Sequence, residues 1–128
     1  MSLIPEEVFV GELDGHAMVA MGGPTDGPNE EWSVAIARIP NPLWDDEPRE
    51  PGPDRYWVMT ETGAMCEDAL VAFEFVGSTL ILDFKPLAAE ELGVSRQISV
   101  AIPPDQVESV RAGIENLTGL LARVRPVN

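Results

Sequence analysis

Two apolar stretches on either side of Gly77-Ser78 constrain the fold more than any other feature of the sequence. A glycine followed by serine favours a type II′ turn, which joins two strands through a two-residue loop. Such a loop sets a register in which the large apolar side chains share one face. The predicted pairs on that face are Phe75 with Leu80, Phe73 with Leu82 and Val71 with Phe84. The turn chemistry and the alternation therefore predict the same antiparallel hairpin.

Further strands and one long helix follow from the same rules. Asp14-Gly15 favours a type I′ turn and predicts a hairpin with Val10 opposite Val19 and Val8 opposite Met21. Apolar or alternating stretches predict strands at 32–39, 55–60 and 96–102, and a short helical turn at 87–92. A helical stripe follows, made of Val107, Val110, Ile114, Leu117 and Leu121, with Gly119 as an alternative end of the helix before the last of these.

The order of these elements predicts an α+β fold in a single domain over residues 1–128. We expect a mainly antiparallel sheet of about six to seven strands built from hairpins. The C-terminal amphipathic helix should pack on one face of this sheet, and the short helical turn should precede the last strand.

The charge of the chain excludes several classes of partner. The sequence has 22 acidic and 8 basic residues, a formal net charge of −14. Such a chain is a poor ligand for nucleic acid or for an anionic membrane. No apolar run approaches the roughly 18 residues of a membrane span, and the start carries acids where a secretory signal carries bases. One cysteine cannot form an internal disulfide, so we expect a cytoplasmic protein.

No motif for catalysis, metal or cofactor binding stands out. The single cysteine, Cys66, precedes two acids, Glu67 and Asp68, which should raise its pKa rather than activate the thiol. The single histidine, His16, follows a hairpin turn, where an exposed side chain is the usual outcome. Structural zinc needs four His or Cys ligands, and neighbouring acids are usually solvated. We therefore predict no catalytic residue, no metal and no cofactor.

The segment 40–54, PNPLWDDEPREPGPD, is predicted to be a long loop because it holds five prolines. It places an aromatic side chain beside carboxylates, the combination with which an interface anchors and steers a basic partner. The partner-binding candidates are Leu43, Trp44, Asp45, Asp46, Glu47, Glu50 and Asp54. The alternative is that Trp44 folds back as a lid on the core while the acids face water.

The C-terminal two-thirds resembles an immunity-protein family of bacterial polymorphic toxin systems. The pieces that carry the resemblance are YWVMTETG at 56–63, the second hairpin strand at 79–84, AAEELG at 88–93, the alternating strand at 96–102 and the helix at 105–117. They cover about half of the chain. The resemblance implies a small α+β protein without catalysis, which binds a cognate toxin domain and blocks it. Many such toxins act on nucleic acids and are basic, which suits an acidic inhibitor.

The leading hypothesis is an immunity protein that occludes a basic toxin with the 40–54 loop. Twelve of the 22 acids and only two arginines lie in the first 54 residues, so a basic partner should dock on surface from this half. The alternatives are a structural module that forms homodimers through a sheet edge or helix face, a small enzyme with a carboxylate-based site, and a small-ligand binder.

Overall fold

The alternation of apolar side chains produces two β-sheets in the computed structural model of the chain, which describes residues 3–13, 16–24, 31–37 and 56–125. The described residues form nine strands and two α-helices, and the predicted α+β class is confirmed. The strands outnumber the predicted six to seven because two of them are only three residues long, too short to leave an alternating pattern.

The first sheet is antiparallel throughout and has the order β1-β2-β3-β4-β5. Its strands are β1 (Glu7–Leu13), β2 (His16–Pro24), β3 (Glu31–Ala37), β4 (Trp57–Thr60) and β5 (Met65–Glu67). Val10 lies opposite Val19 and Val8 opposite Met21, which confirms the predicted register of the first hairpin. The turn residues Asp14 and Gly15 lie outside the described part.

The second sheet has the order β8-β7-β6-β9. Its strands are β6 (Leu70–Val76), β7 (Thr79–Phe84), β8 (Gln97–Ala101) and β9 (Arg123–Arg125). Strand β9 runs parallel to β6 and was not predicted from the sequence. Leu3 continues the sheet beyond β8, since its N–H donates to the Ser99 carbonyl at 2.7 Å and its carbonyl accepts from the Ala101 N–H at 2.8 Å.

The β6–β7 hairpin confirms the predicted register except at its open end. Phe75 pairs with Leu80 and Phe73 with Leu82 as expected. The prediction that Val71 faces Phe84 is wrong. A register shift between Leu70 and Ala72 brings Leu70 opposite Phe84 and leaves the Val71 side chain 49% exposed. The shift is the effect of a β-bulge, an extra residue that turns the neighbouring side chain to the other face.

The helices are α1 (Pro86–Leu92), which precedes β8, and α2 (Val107–Thr118), which follows a 3₁₀ turn at Pro104–Gln106. The predicted stripe is confirmed at Val110, Ile114 and Leu117, all buried. The prediction that Leu121 belongs to the stripe is wrong, because the helix ends at Gly119 (φ 74°) and the Leu121 side chain is 82% exposed.

One apolar core joins the inner face of each sheet to both helices. Its largest fully buried side chains include Phe73, Phe75 and Phe84 of the second sheet and Ile36 of the first. Helix α2 packs against β1, β2 and β3. None of the helices in the described ranges is both long and apolar enough for a membrane span.

Candidate functional site

All residues of the predicted interface loop, Leu43, Trp44, Asp45, Asp46, Glu47, Glu50 and Asp54, lie outside the described residues. The interface and lid interpretations of this loop therefore both stay predictions. The described chain stops at Ala37 and resumes at Tyr56, and Ala37 pairs with Trp57 across β3 and β4. Both ends of the segment 38–55 are thus joined to the same end of two neighbouring strands.

The face of the first sheet that points away from the core, here called the outer face, carries a row of apolar side chains. The pairing of the five strands aligns one side chain from each in a row across this face. This outer row consists of Phe9, Ala20, Ala35, Met59 and Met65. None of the five belongs to the core or packs against it. The ring of Phe9 is 43% exposed, and the other four side chains are half-buried.

An open groove of about 470 Å³ lies on the outer face, towards the start of β3. Small side chains of β2 and β3 line it, so the backbone of the sheet is close to its surface. Its lining includes Phe9, Ala20, Gly22, Ser33 and Ala35. This groove was not found from the sequence. The available signal was the stretch 32–37, which is apolar or small at the outward positions as well as at the buried ones.

Strands β2 and β3 approach each other closely at Gly22, which lines the groove. A Cβ atom on Gly22 would lie 2.8 Å from the Trp32 carbonyl oxygen and 3.3 Å from Ser33 Cβ. A side chain at position 22 would require the Trp32 backbone to move, so glycine is required for the approach of the two strands.

Carboxylates border the groove. Glu6, Glu7 and Glu31 contribute to its lining, and all three side chains are exposed. A fourth, Glu61, accepts a hydrogen bond from the Ser33 N–H through Oε2 at 3.3 Å. The groove therefore combines an apolar floor with a negative border, which is the arrangement expected of a surface that receives a cationic group.

The environment of Cys66 does not favour a nucleophile. Its pKa is raised from 9.0 to about 11, first by burial and then by the hydrogen bond and negative charge of Glu91. The sequence predicted the direction, but the main cause is burial rather than the neighbouring acids. The His16 side chain lies outside the described part of the structure, so its predicted exposure stays a prediction.

Nothing described offers a metal site: no three His, Cys, Asp or Glu side chains within the described ranges are grouped so that they could hold an ion.

Comparisons of the chain with protein families, with curated proteins and with solved structures found no match. Within the described residues, the outer face and its charge are the features that bear on function.

Proposed function

We propose that this chain is a non-catalytic binding protein that neutralises a basic protein domain by covering it, as an immunity protein covers its toxin. The observation that carries the proposal is the outer face of the first sheet, where an apolar row that does not belong to the core ends in a groove bordered by Glu6, Glu7 and Glu31. An apolar centre with a polar border is the common arrangement of protein interfaces.

The net charge of the whole chain favours a basic partner. With a net charge of −14, the protein attracts a basic surface over long distances and repels acidic ones. A second copy of the chain would bring an equally negative border to the same face, which disfavours a homodimer through the outer face. Nucleic acids carry the same sign of charge and are disfavoured for the same reason.

Phe9 is the proposed anchor within the described residues. An exposed aromatic ring beside small side chains gives a partner a large apolar area to bury. The predicted loop residues would extend this surface, with Trp44 as a second anchor and Asp45, Asp46 and Glu47 supplying charge. The outer face and the loop make separate predictions, because the groove and the junctions of the 38–55 segment lie towards opposite ends of β3.

The proposal is tested by co-expression. The protein encoded next to this chain, or its C-terminal domain, is expressed in a bacterium with and without the chain, and growth is followed. We expect the neighbour to arrest growth alone and the chain to restore it. A toxic neighbour that forms no complex with the chain and is not neutralised by it would overturn the proposal.

The interface is then tested with matched variants. Phe9→Ala should weaken the purified complex about tenfold or more, the range of an interface hot spot. The control is Val71→Ala, which removes a similarly exposed side chain from the second sheet and should leave the affinity unchanged.

Replacing Asp45, Asp46 and Glu47 together by Asn, Asn and Gln should slow association at low salt. An unchanged on-rate would exclude the loop from the mechanism.

A further inference from the structure

We infer that the groove on the outer face is a recognition site for an arginine side chain presented by the partner. This inference rests on the proposed function, since it specifies which group of a basic partner the chain reads. It goes further in assigning the contact to described residues of the first three strands, and in distinguishing arginine from other cations.

The shape of the groove suits one long side chain or a short extended segment. Its volume of about 470 Å³ lies within the range of ligand sites, but the groove is open and shallow rather than enclosed. Its floor has small side chains, Ala20, Ser33 and Ala35, around Gly22. A flat group can therefore lie close to the backbone of the sheet.

The chemistry of the lining favours a guanidinium group. Phe9 lines the groove and is 43% exposed, and an exposed aromatic ring is a group on which a planar cation can stack. Glu6, Glu7 and Glu31 provide carboxylates around the same opening, and a guanidinium has five donors in a plane with which to reach several of them. A lysine ammonium is more strongly hydrated and does not stack as a plane, so an apolar floor suits it less well.

The alternative occupants fit less well. A carboxylate or phosphate ligand would be repelled by the three glutamates at the border. A neutral apolar side chain would leave them without a counter-charge, although it would bury the ring of Phe9. A second copy of the chain would place like charges against one another. Only a cationic group with an apolar or planar part satisfies both the floor and the border.

The test uses three tripeptide amides with acetylated N-termini, Gly-Arg-Gly, Gly-Lys-Gly and Gly-citrulline-Gly. Citrulline has nearly the shape of arginine without its charge. Each is titrated into the ¹⁵N-labelled protein, and amide shifts are followed by NMR. We expect saturable shifts at Gly22, Ser33 and Ala35 with the arginine peptide, at least about threefold weaker binding of the lysine peptide, and none for citrulline.

Two variants locate the site. Glu31→Gln keeps the size of the side chain and should weaken the arginine peptide, while Glu90→Gln, an exposed carboxylate on α1, should not. Ala35→Leu fills the groove from its floor and should abolish the shifts. The spectrum of each variant without peptide shows whether the variant is folded. If Ala35→Leu is not folded, the result for Glu31→Gln decides the test.

Shifts that are absent, that lie elsewhere, or that are equal for the arginine and lysine peptides would overturn the inference. The outcomes for the two proposals are distinguishable. If the chain neutralises its neighbour but the arginine peptide does not bind, the binding function stands and the arginine site is wrong. If the arginine peptide binds but no basic partner is neutralised, the site stands and the proposed function is wrong.

Discussion

Tyr56 connects the two sheets through its hydroxyl group. The oxygen accepts a hydrogen bond from the Leu70 N–H at 3.0 Å and donates to the Leu70 carbonyl at 3.4 Å. Leu70 lies at the β6 bulge, where the strand pairing is interrupted, so the hydroxyl replaces a partner that the ladder does not supply. Asp68, with φ 51°, turns the chain into β6 and donates its N–H to the Tyr56 carbonyl.

The burial of the Tyr56 hydroxyl predicts how the stability of the protein responds to base. It raises the pKa of Tyr56 from 10.0 to about 12. The unfolded chain thus loses the phenol proton first. The contribution of Tyr56 to the free energy of unfolding is therefore fully present below pH 10 and declines as pH rises towards 12. We expect this decline to reach about 3 kcal/mol, because each pKa unit corresponds to about 1.4 kcal/mol.

Tyr56 is the only tyrosine, so tyrosinate absorbance reports this one group. The folded protein should titrate near pH 12 and the urea-unfolded protein near pH 10. Tyr56→Phe should abolish the signal and, at neutral pH, cost about 1–3 kcal/mol, since the Leu70 amide loses its acceptor. A folded-state midpoint near pH 10 would contradict the burial of this hydroxyl.

At the scale of elements, Gly113 determines how closely α2 approaches the first sheet. A Cβ atom there would lie 2.7 Å from Val19 Cγ2 and 3.0 Å from Val10 Cγ1. Alanine normally stabilises a helix interior by about 0.5–1 kcal/mol relative to glycine. Here we expect Gly113→Ala to destabilise the fold, by about 1–3 kcal/mol, because the added methyl overpacks the core.

Urea unfolding measures this effect, and Val19→Ala supplies the control. If the clash with Val19 is the cause, Gly113→Ala should cost less in the Val19→Ala background than in the native chain. Ser109→Ala, at an exposed position of α2, should be nearly neutral. A Gly113→Ala protein that is more stable than the native one would show that the helix lies farther from the sheet.

A second pair of substitutions tests the β6 bulge. Phe73 is 1% exposed and Val71 is 49% exposed, although the alternation placed both on the same face. Phe73→Ala should cost about 3–5 kcal/mol in urea melts, as a large cavity in the core does. Val71→Ala should cost under about 1 kcal/mol. A large loss for Val71→Ala would instead support an unbroken register.

These strands show what a local pattern can and cannot predict. Two-residue turns fix which residues lie opposite each other, so both hairpin registers followed from the sequence near their turns. The bulge did not, because at that point Leu70 bonds to the Tyr56 hydroxyl, a partner that is distant in the sequence. Strand β9 pairs with a strand about fifty residues earlier, and nothing in its three residues indicates that pairing.

At the scale of the whole molecule, the candidate site illustrates the same distinction. The charge of the chain is a property of composition and predicted a basic partner from the sequence alone. The groove depends on three strands brought side by side, and none of them supplies its whole lining. Phe9, Ala20 and Ala35 are unremarkable in the sequence and become a surface only through the register of β1, β2 and β3.

We expect the protein to be monomeric at low salt. The β8 edge of the second sheet is covered by Leu3, which reduces edge-to-edge pairing. Two copies meeting at the outer face would bring their Glu6, Glu7 and Glu31 side chains together, and this repulsion is poorly screened at low ionic strength. Sedimentation equilibrium at micromolar concentration should therefore give the mass of one chain.

The control for this prediction is the triple variant with Gln at positions 6, 7 and 31. It keeps the apolar row but removes three charges per chain, so it should self-associate more readily than the native protein. The same shift should follow when high salt screens the native border. A native dimer that is stable at low salt would contradict this account, because the negative border would then not keep the copies apart.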